Sequence, residues 1–308
     1  MSLRFAYNTN GLQNHRLGDA VALLRDTGYD GVALTLDIHH LDPFSAHTPR
    51  AAERLAAQLQ RDGMGCVVET GARFLLDPRA KHEPTFATPH AEGRTRRLAL
   101  LRTAVDLAAV LQAEAVSFWA GVPAPGVDRK AAWGWLRDGV AQLAEHAATR
   151  GMVVALEPEP GMLVETVADW RRLAALVPGL TLALDVGHCL VTGDLDPADA
   201  VRQTVGDLGT VALEDMRAGV HEHLPFGEGD LDLPAVLGAL AEVACDRLLC
   251  VELSRDSHRA HTMVGQALAA LRAATPVRPA SLQKVRPHST LPDGGVRPPA
   301  GPRGGNSR

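Results

Sequence analysis

The sequence is poor in cysteine, in aromatic residues and in long hydrophobic runs. It has four cysteines among 308 residues, and none of them shows the C-x-x-C spacing of a metal or redox motif. This excludes a disulfide scaffold, and we predict that the cysteines are reduced and mostly structural. No apolar run approaches the roughly 18 residues that a membrane-spanning helix requires. The sequence therefore excludes a membrane span, while 46% hydrophobic residues supply the material for a globular core.

An excess of positive charge and a secretion signal are also missing. The net charge is −5, and a protein with an acidic body repels phosphate backbones. The first residues, MSLRFAYNTN, show no basic stretch followed by an apolar segment. We therefore predict a cytoplasmic protein that binds neither nucleic acid nor membranes. Whether the chain forms a homo-oligomer is left open by the sequence.

Eight short apolar or β-branched runs alternate with amphipathic helical patterns along the chain. The first, RFAYNT, begins near residue 4, and the last, LLCVELS, begins near residue 248. Three of the helical patterns between them end on glycine, as a helix C-cap does. Eight strand-then-helix units are typical of an α/β protein whose parallel sheet closes into a (β/α)8 TIM barrel. The alternative, a doubly wound open sheet, lacks its expected G-x-G-x-x-G after the first strand.

The end of the chain has a different composition. From about residue 275 the sequence is rich in proline, glycine and arginine and has almost no apolar pattern. Such a segment cannot bury enough surface to offset the entropy lost on ordering. We predict a single barrel domain at residues 1–274 and a disordered tail at residues 275–308.

Three carboxylates stand at the carboxyl ends of predicted strands, where TIM barrels carry their active sites. Side chains alternate between the two faces of a strand, and this places Glu157, Asp185 and Glu252 inward, each two residues after a small side chain. Buried carboxylates repel one another unless they share protons or bind a cation. We therefore predict a divalent metal site, and the ligand types suit Mn²⁺, Mg²⁺, Co²⁺ or Zn²⁺. The alternative is a separate arginine partner for each acid.

The strand-end residues resemble those of the xylose-isomerase-like TIM barrel superfamily of sugar phosphate isomerases and epimerases. The resemblance extends over most of the predicted barrel, about residues 1–273. It rests on a set of short motifs, namely ALEPEPG with Glu157, LDVGH with Asp185 and His188, EDMR with Arg217, the G-E-G-D-L-D loop, and VELS with Glu252. The resemblance implies a metal bound by side chains of strands five to eight.

The resemblance also implies a reaction at the carbon next to a carbonyl group. Glu157 and Glu252 would bind the metal and serve as the base and acid that move a proton, while the cation stabilises an enediolate. Asp185 would anchor the metal, and His188 would touch a ligand water or a substrate hydroxyl. We accordingly predict a metal-dependent isomerase or epimerase of a small sugar, sugar phosphate or cyclitol. The alternatives are a metal-dependent lyase or dehydratase on the same barrel, and a non-catalytic barrel with a degenerate metal site.

One position departs from the family pattern. Strand seven usually carries a histidine ligand where this sequence has Ala212. Glu214 is a candidate replacement as a metal ligand, because it repeats the small-then-acid spacing of the other strands. His221 and His223 belong to a loop beyond the strand, where we expect them to line a lid over a polyhydroxy carbonyl substrate. The predicted substrate-binding residues are His188, Arg217, Glu69, Trp119, His221 and His223.

Overall fold

Eight parallel strands close into a barrel in the part of the chain that the structure, a computed structural model, describes, residues 2–71 and 73–276. The barrel strands are β1 (Arg4–Asn8), β2 (Gly31–Thr35), β3 (Gly65–Glu69), β4 (Val116–Trp119), β5 (Val154–Glu157), β6 (Leu180–Asp185), β7 (Leu208–Leu213) and β10 (Leu248–Val251). Two further strands, β8 (Asp215–Arg217) and β9 (Val220–Leu224), lie between β7 and β10 in the sequence. The order around the barrel is β1-β10-β7-β6-β5-β4-β3-β2, and β8 pairs with β9 alone. The predicted (β/α)8 fold is confirmed. Of the predicted disordered tail, residues 277–308 lie outside the described residues.

Helices connect the barrel strands. Within the described residues they are α1 (Leu17–Thr27), α2 (Thr48–Asp62), α3 (Ala91–Leu111), α4 (Arg129–Thr149), α5 (Val167–Ala174), α6 (Val186–Thr192), α7 (Pro197–Thr204), α8 (Leu233–Glu242) and α9 (Ala260–Ala274). The predicted glycine caps of α1 and α2 are confirmed at Gly28 and Gly63, which adopt left-handed backbone angles. The C-cap of α4 is instead Arg150, one residue before Gly151. None of the helices in residues 2–71 and 73–276 combines the length and apolarity needed to cross a bilayer.

Alternation along the strands separates a packed core from the functional side chains. On β5, Val154 and Leu156 are buried in the main hydrophobic core, whereas Glu157 faces the inside of the barrel. A second, smaller cluster fills the barrel interior and consists of Ala6, Ala33, Val67, Leu248 and Cys250. All four cysteines are free and buried, as predicted. Because the lower part of the barrel is filled, the strand-end acids are displayed at its carboxyl mouth.

The chain after β7 differs from the sequence prediction. We expected His221 and His223 in a loop beyond the seventh strand, but β7 ends at Leu213 and the next residues form the β8–β9 hairpin, whose second strand contains both histidines. Arg217 pairs with Val220 across a two-residue turn, in which Gly219 has a positive φ of 74°. Such turns require residues that accept positive φ, and glycine does so without strain. His221 therefore lies on a strand of a defined hairpin.

Candidate active site and metal centre

A cavity of about 580 Å³ lies at the carboxyl ends of the barrel strands. Among the predicted site residues, those that line it are Glu69, Trp119, Glu157, His188, His221, His223 and Glu252. Asp185 lies deeper and lines a narrow space of about 20 Å³ inside the barrel, which Ala212 also borders. The structure thus brings together acids that are distant in the sequence.

Asp185 positions His188 through the start of α6. Its Oδ1 accepts hydrogen bonds from the backbone N–H groups of Gly187 at 2.7 Å and His188 at 3.1 Å, and so caps the helix. The His188 Nδ1–H donates to the carbonyl oxygen of Pro158 at 3.0 Å. The other ring nitrogen, Nε2, lies 3.5 Å from Asp185 Oδ2. The hydrogen bond at Nδ1 therefore orients the His188 ring so that Nε2 faces the acids.

Three of these side chains fit a divalent cation. Glu157, Asp185 and His188 each offer a ligand atom, and these atoms all lie within 4.8 Å of one another. Asp185 is only 2% exposed, and its Oδ2 has no donor among the described residues unless Glu214 carries a proton that the two carboxyl groups share. An unpaired buried carboxylate oxygen is costly unless a proton or a cation satisfies it. The donor set of two carboxylates and an imidazole suits a divalent transition metal.

The other two predicted metal ligands, Glu252 and Glu214, lie outside that cluster. Glu252 Oε1 accepts a hydrogen bond from Asn10 Nδ2 at 2.8 Å, and Oε2 lies 3.5 Å from Asn8 Nδ2. Glu214 is completely buried and lines neither of the two spaces at the barrel mouth. It packs on Gly187, where an added Cβ would come within 2.6 Å of Glu214 Oε1.

The crowding of carboxylates shifts their pKa values. Burial raises the pKa of Glu157 well above its usual range, and the charges of Glu159 and Asp185 raise it further. Burial and the charge of Asp185 raise the pKa of Glu214 in the same way. Burial alone would raise the pKa of Asp185, but the adjacent His188 lowers it overall. The site therefore retains protons in the absence of a cation, and a cation could replace them.

Glu69 and Trp119 lie on the neighbouring strands β3 and β4. Burial, together with repulsion from Glu252, raises the pKa of Glu69 to about 7. The Trp119 ring forms one wall of the cavity, and the guanidinium carbon of Arg97 lies 4.3 Å from the centre of this ring. Arg97 is completely buried, and burial lowers its pKa to about 10. A buried cation therefore holds the aromatic wall in place.

Arg217 lies outside the cavity that the other predicted residues share. Its guanidinium pairs with Glu222 and donates to the carbonyl oxygen of Glu228 at 3.0 Å. Arg255, which the sequence analysis did not select, lines the cavity instead and lies 3.8 Å from Glu222. Glu159 was also missed, although it stands two residues after Glu157 in ALEPEPG. Two further cations line the cavity, namely Arg73, which the sequence places close to Glu69 after the third strand, and Lys81.

We expect Glu69→Gln to stabilise the metal-free protein, and to do so more at pH 8 than at pH 5. Folding raises the Glu69 pKa from 4.5 to about 7, so the folded state keeps a proton that the unfolded chain releases in this interval. That contribution to stability is complete below pH 4.5 and is lost as the pH rises to 7. The gain from Glu69→Gln should therefore be larger by about 2 kcal/mol at pH 8.

Urea unfolding in the presence of a chelator measures this difference. Glu53→Gln, on the exposed face of α2, is the matched control and should show the same small effect at both pH values. An effect of Glu69→Gln that did not change with pH would contradict the raised pKa.

The fold and the strand-end residues define a TIM barrel whose cavity, at the carboxyl ends of the strands, is lined by carboxylates and imidazoles. A family model described as a xylose isomerase-like TIM barrel matches residues 21–274. The chain therefore belongs to the xylose isomerase-like TIM barrel family. This confirms the resemblance that the strand-end motifs indicated.

Individual relatives are more distant. The chain is 27% identical to an inosose dehydratase of Clostridium tetani (strain Massachusetts / E88) over 150 residues, which are 42% of this chain and 50% of that protein. The chain spans about half the length of the curated relatives that it matches. These alignments are partial, so they leave the activity of this chain to be inferred from its site.

Solved structures show the same fold at low sequence identity. The IOLI protein with a bound zinc atom has a TM-score of 0.67 and 17% identity, over 88% of this chain and 96% of that one. An L-ribulose 3-epimerase has a TM-score of 0.67 and 19% identity, over 89% and 96% of the two chains. Similarity at this level of identity shows the fold alone.

Proposed function

We propose that the protein is a divalent-metal-dependent isomerase or epimerase that moves a proton at the carbon beside a carbonyl group. The observation that carries the proposal is the pair of partly buried carboxyl groups, Glu157 and Glu252, on the wall of one cavity. Glu157 ends β5 and Glu252 follows β10, and these strands are separated by β6 and β7 in the barrel. They can therefore approach a bound substrate from different sides, as removal and return of a proton require.

The surroundings of the two glutamates suit these roles. Burial and the charge of Asp185 raise the pKa of Glu252, but the 2.8 Å hydrogen bond that Asn10 donates opposes this rise and favours the ionised form that a base needs. Burial and the repulsion from Glu159 and Asp185 raise the pKa of Glu157 well above its usual range, and its protonated form suits an acid. Asp185 and His188, with Glu157 within reach, would hold the cation. When bound, a divalent cation polarises the substrate oxygens and stabilises negative charge at the carbonyl.

The cavity wall supports a small polyhydroxy carbonyl substrate. The Trp119 ring offers an apolar face of the kind that packs against a sugar or cyclitol ring. Arg73, Lys81 and Arg255 add positive charge on the wall, which would suit a phosphate or carboxylate group on such a substrate. The zinc in the related IOLI structure supports a divalent metal without deciding which one this protein uses.

A dehydratase is the second candidate, and Glu69 is the observation that favours it. Loss of a hydroxyl group next to the enediolate needs a further acid, and Glu69, with a pKa of about 7, lines the same cavity. A carboxyl group with that pKa can donate a proton near neutral pH. The partial similarity to inosose dehydratases points in the same direction.

Proton exchange with solvent tests both candidates. We expect the protein, loaded in turn with Mn²⁺, Co²⁺, Zn²⁺ or Mg²⁺ in D₂O, to introduce deuterium beside the carbonyl of one ketose, sugar phosphate or inosose in a panel. An epimer or aldose–ketose isomer in the NMR spectrum identifies the isomerase, and a product lighter by one water in the mass spectrum identifies the dehydratase. Product formed without deuterium uptake, or no exchange with any panel member, would count against proton transfer by Glu157 and Glu252.

A further inference from the structure

Two imidazole rings from different elements meet at the outer edge of the cavity. His188, on α6, and His221, on β9, lie with their Nε2 atoms 3.2 Å apart. The ring planes are nearly perpendicular, at 87°, and the ring centres are 4.8 Å apart. The rings therefore meet through their nitrogen atoms and not through stacked faces.

This separation fits two ligands of one metal ion. Zn–N bonds are about 2.0–2.1 Å long in tetrahedral sites, so two nitrogen ligands of one ion lie about 3.3 Å apart. A carboxylate completes the group: Glu159 Oε1 lies 3.6 Å from His221 Nε2, and Glu159 Oε2 lies 4.0 Å from His188 Nε2. Ligand atoms of Glu159, His188 and His221 all lie within 4.8 Å of one another.

The protonation of His188 leaves the appropriate nitrogen free. Its Nδ1 donates to the Pro158 carbonyl oxygen, so neutral His188 carries its lone pair on Nε2, which faces His221. A metal-bound histidine almost always donates its other N–H to a carbonyl or a carboxylate. Glu157 lies 3.5 Å from Nδ1, the nitrogen that is already engaged. A cation on Nε2 is therefore directed away from Glu157 and towards the hairpin.

A second observation points to a cation beside the same nitrogen. Asp185 Oδ2, which is buried and has no donor among the described residues apart from a proton shared with Glu214, lies 3.5 Å from His188 Nε2. A buried carboxylate therefore stands beside the nitrogen that would bind the cation, and it favours positive charge there. The seventh strand has Ala212 where the family pattern has a histidine, and Ala212 borders a narrow space inside the barrel.

We propose that His221 binds the catalytic cation together with Glu159 and His188, so that the β8–β9 hairpin supplies the imidazole that β7 lacks at Ala212. Asp185 lies beside this group and adds negative charge near the cation, and Glu157 stays free to carry a proton. This inference rests on the proposed function for the use of the cation in catalysis. The binding itself is measured without turnover.

Metal titration of the full-length, metal-stripped protein tests the ligand set. Zn²⁺ is titrated against a chromophoric chelator, and Co²⁺ is titrated by its visible absorption, which responds to the number of nitrogen ligands. His221→Ala and Glu159→Gln should each weaken Zn²⁺ binding at least about tenfold, and His221→Ala should change the Co²⁺ spectrum. Glu157→Gln should bind Zn²⁺ with nearly the parent affinity. The matched control is His261→Ala, at an exposed position of α9, which should leave both titrations unchanged.

The outcomes separate this inference from the proposed function. Loss of Zn²⁺ affinity in Glu157→Gln, with His221→Ala unchanged, would overturn the hairpin site and place the cation with Glu157, Asp185 and His188, where the proposed function still stands. Absence of a stoichiometric cation in the parent protein would overturn both. The His221 side chain is 33% exposed, so His221→Ala should unfold at the same temperature as the parent protein when a chelator is present. A lower melting temperature of the variant under these conditions would show that its weak metal binding results from misfolding. That result would overturn the assignment of His221 as a ligand.

Discussion

Glu252→Gln should lower turnover by about 10²–10⁴-fold while the protein keeps its metal and its substrate affinity. Glutamine retains the shape of the side chain and can still interact with Asn10, but it cannot take up a proton from carbon. Glu252 lies outside the cluster formed by Glu157, Asp185 and His188, so the cation should remain bound. The loss should therefore appear in kcat, with little change in KM.

Steady-state kinetics and metal analysis of the same preparation measure this effect. Solvent deuterium uptake into the substrate should fall in parallel with turnover, because both depend on the same proton transfer. Glu114→Gln is the matched control, since Glu114 pairs with Arg4 at the amino end of the barrel, and it should retain full turnover. If Glu252→Gln exchanged deuterium at the parent rate, Glu252 could not be the base.

Asp215→Ala should lower the free energy of unfolding by about 3–5 kcal/mol. Asp215 is 1% exposed, and its carboxylate accepts three backbone hydrogen bonds, from Gly227 at 2.8 Å, Gly229 at 3.0 Å and Leu231 at 2.9 Å. Alanine would leave these N–H groups without their acceptor, and it would remove the carboxylate that holds the G-E-G-D-L-D loop in place. The hairpin that begins at Asp215 should lose its order as well.

Chemical denaturation and hydrogen exchange of residues 215–231 measure these two effects. Asp230→Ala provides the comparison, because the exposed Asp230 accepts one backbone hydrogen bond, from Ala218 at 2.9 Å, and its loss should cost about 1 kcal/mol. If the two substitutions lowered the free energy of unfolding equally, the three hydrogen bonds that Asp215 accepts would add nothing to stability beyond a single one.

The barrel could be predicted because its strands carry a strong local signal. Runs such as VALE are large and apolar on the helix side and small or acidic on the inner side, so alternation alone orients them. The β8–β9 hairpin carries a weaker signal. Its V-H-E-H-L stretch alternates, but the residues are polar and partly exposed, and pairing with Asp215–Arg217 becomes visible only in three dimensions.

The candidate site could be predicted only as far as the strand ends. Glu157, Asp185 and Glu252 follow from alternation, and the structure places them around the barrel mouth. Arg97 could not be found in this way, because an arginine within an amphipathic helix usually reaches solvent. Its burial depends on stacking against Trp119 from another element, a tertiary contact that local patterns do not contain.

The LDVGH motif shows how one short segment can carry two unrelated constraints. Asp185 and His188 have side chains that could bind a cation, whereas Gly187 contributes no functional group. Even so, a methyl group at position 187 would meet Glu214 Oε1 at 2.6 Å and Met216 Cγ at 2.9 Å. Steric exclusion therefore restricts position 187 to glycine, and an alanine there would have to displace the Glu214 carboxyl group and the Met216 side chain.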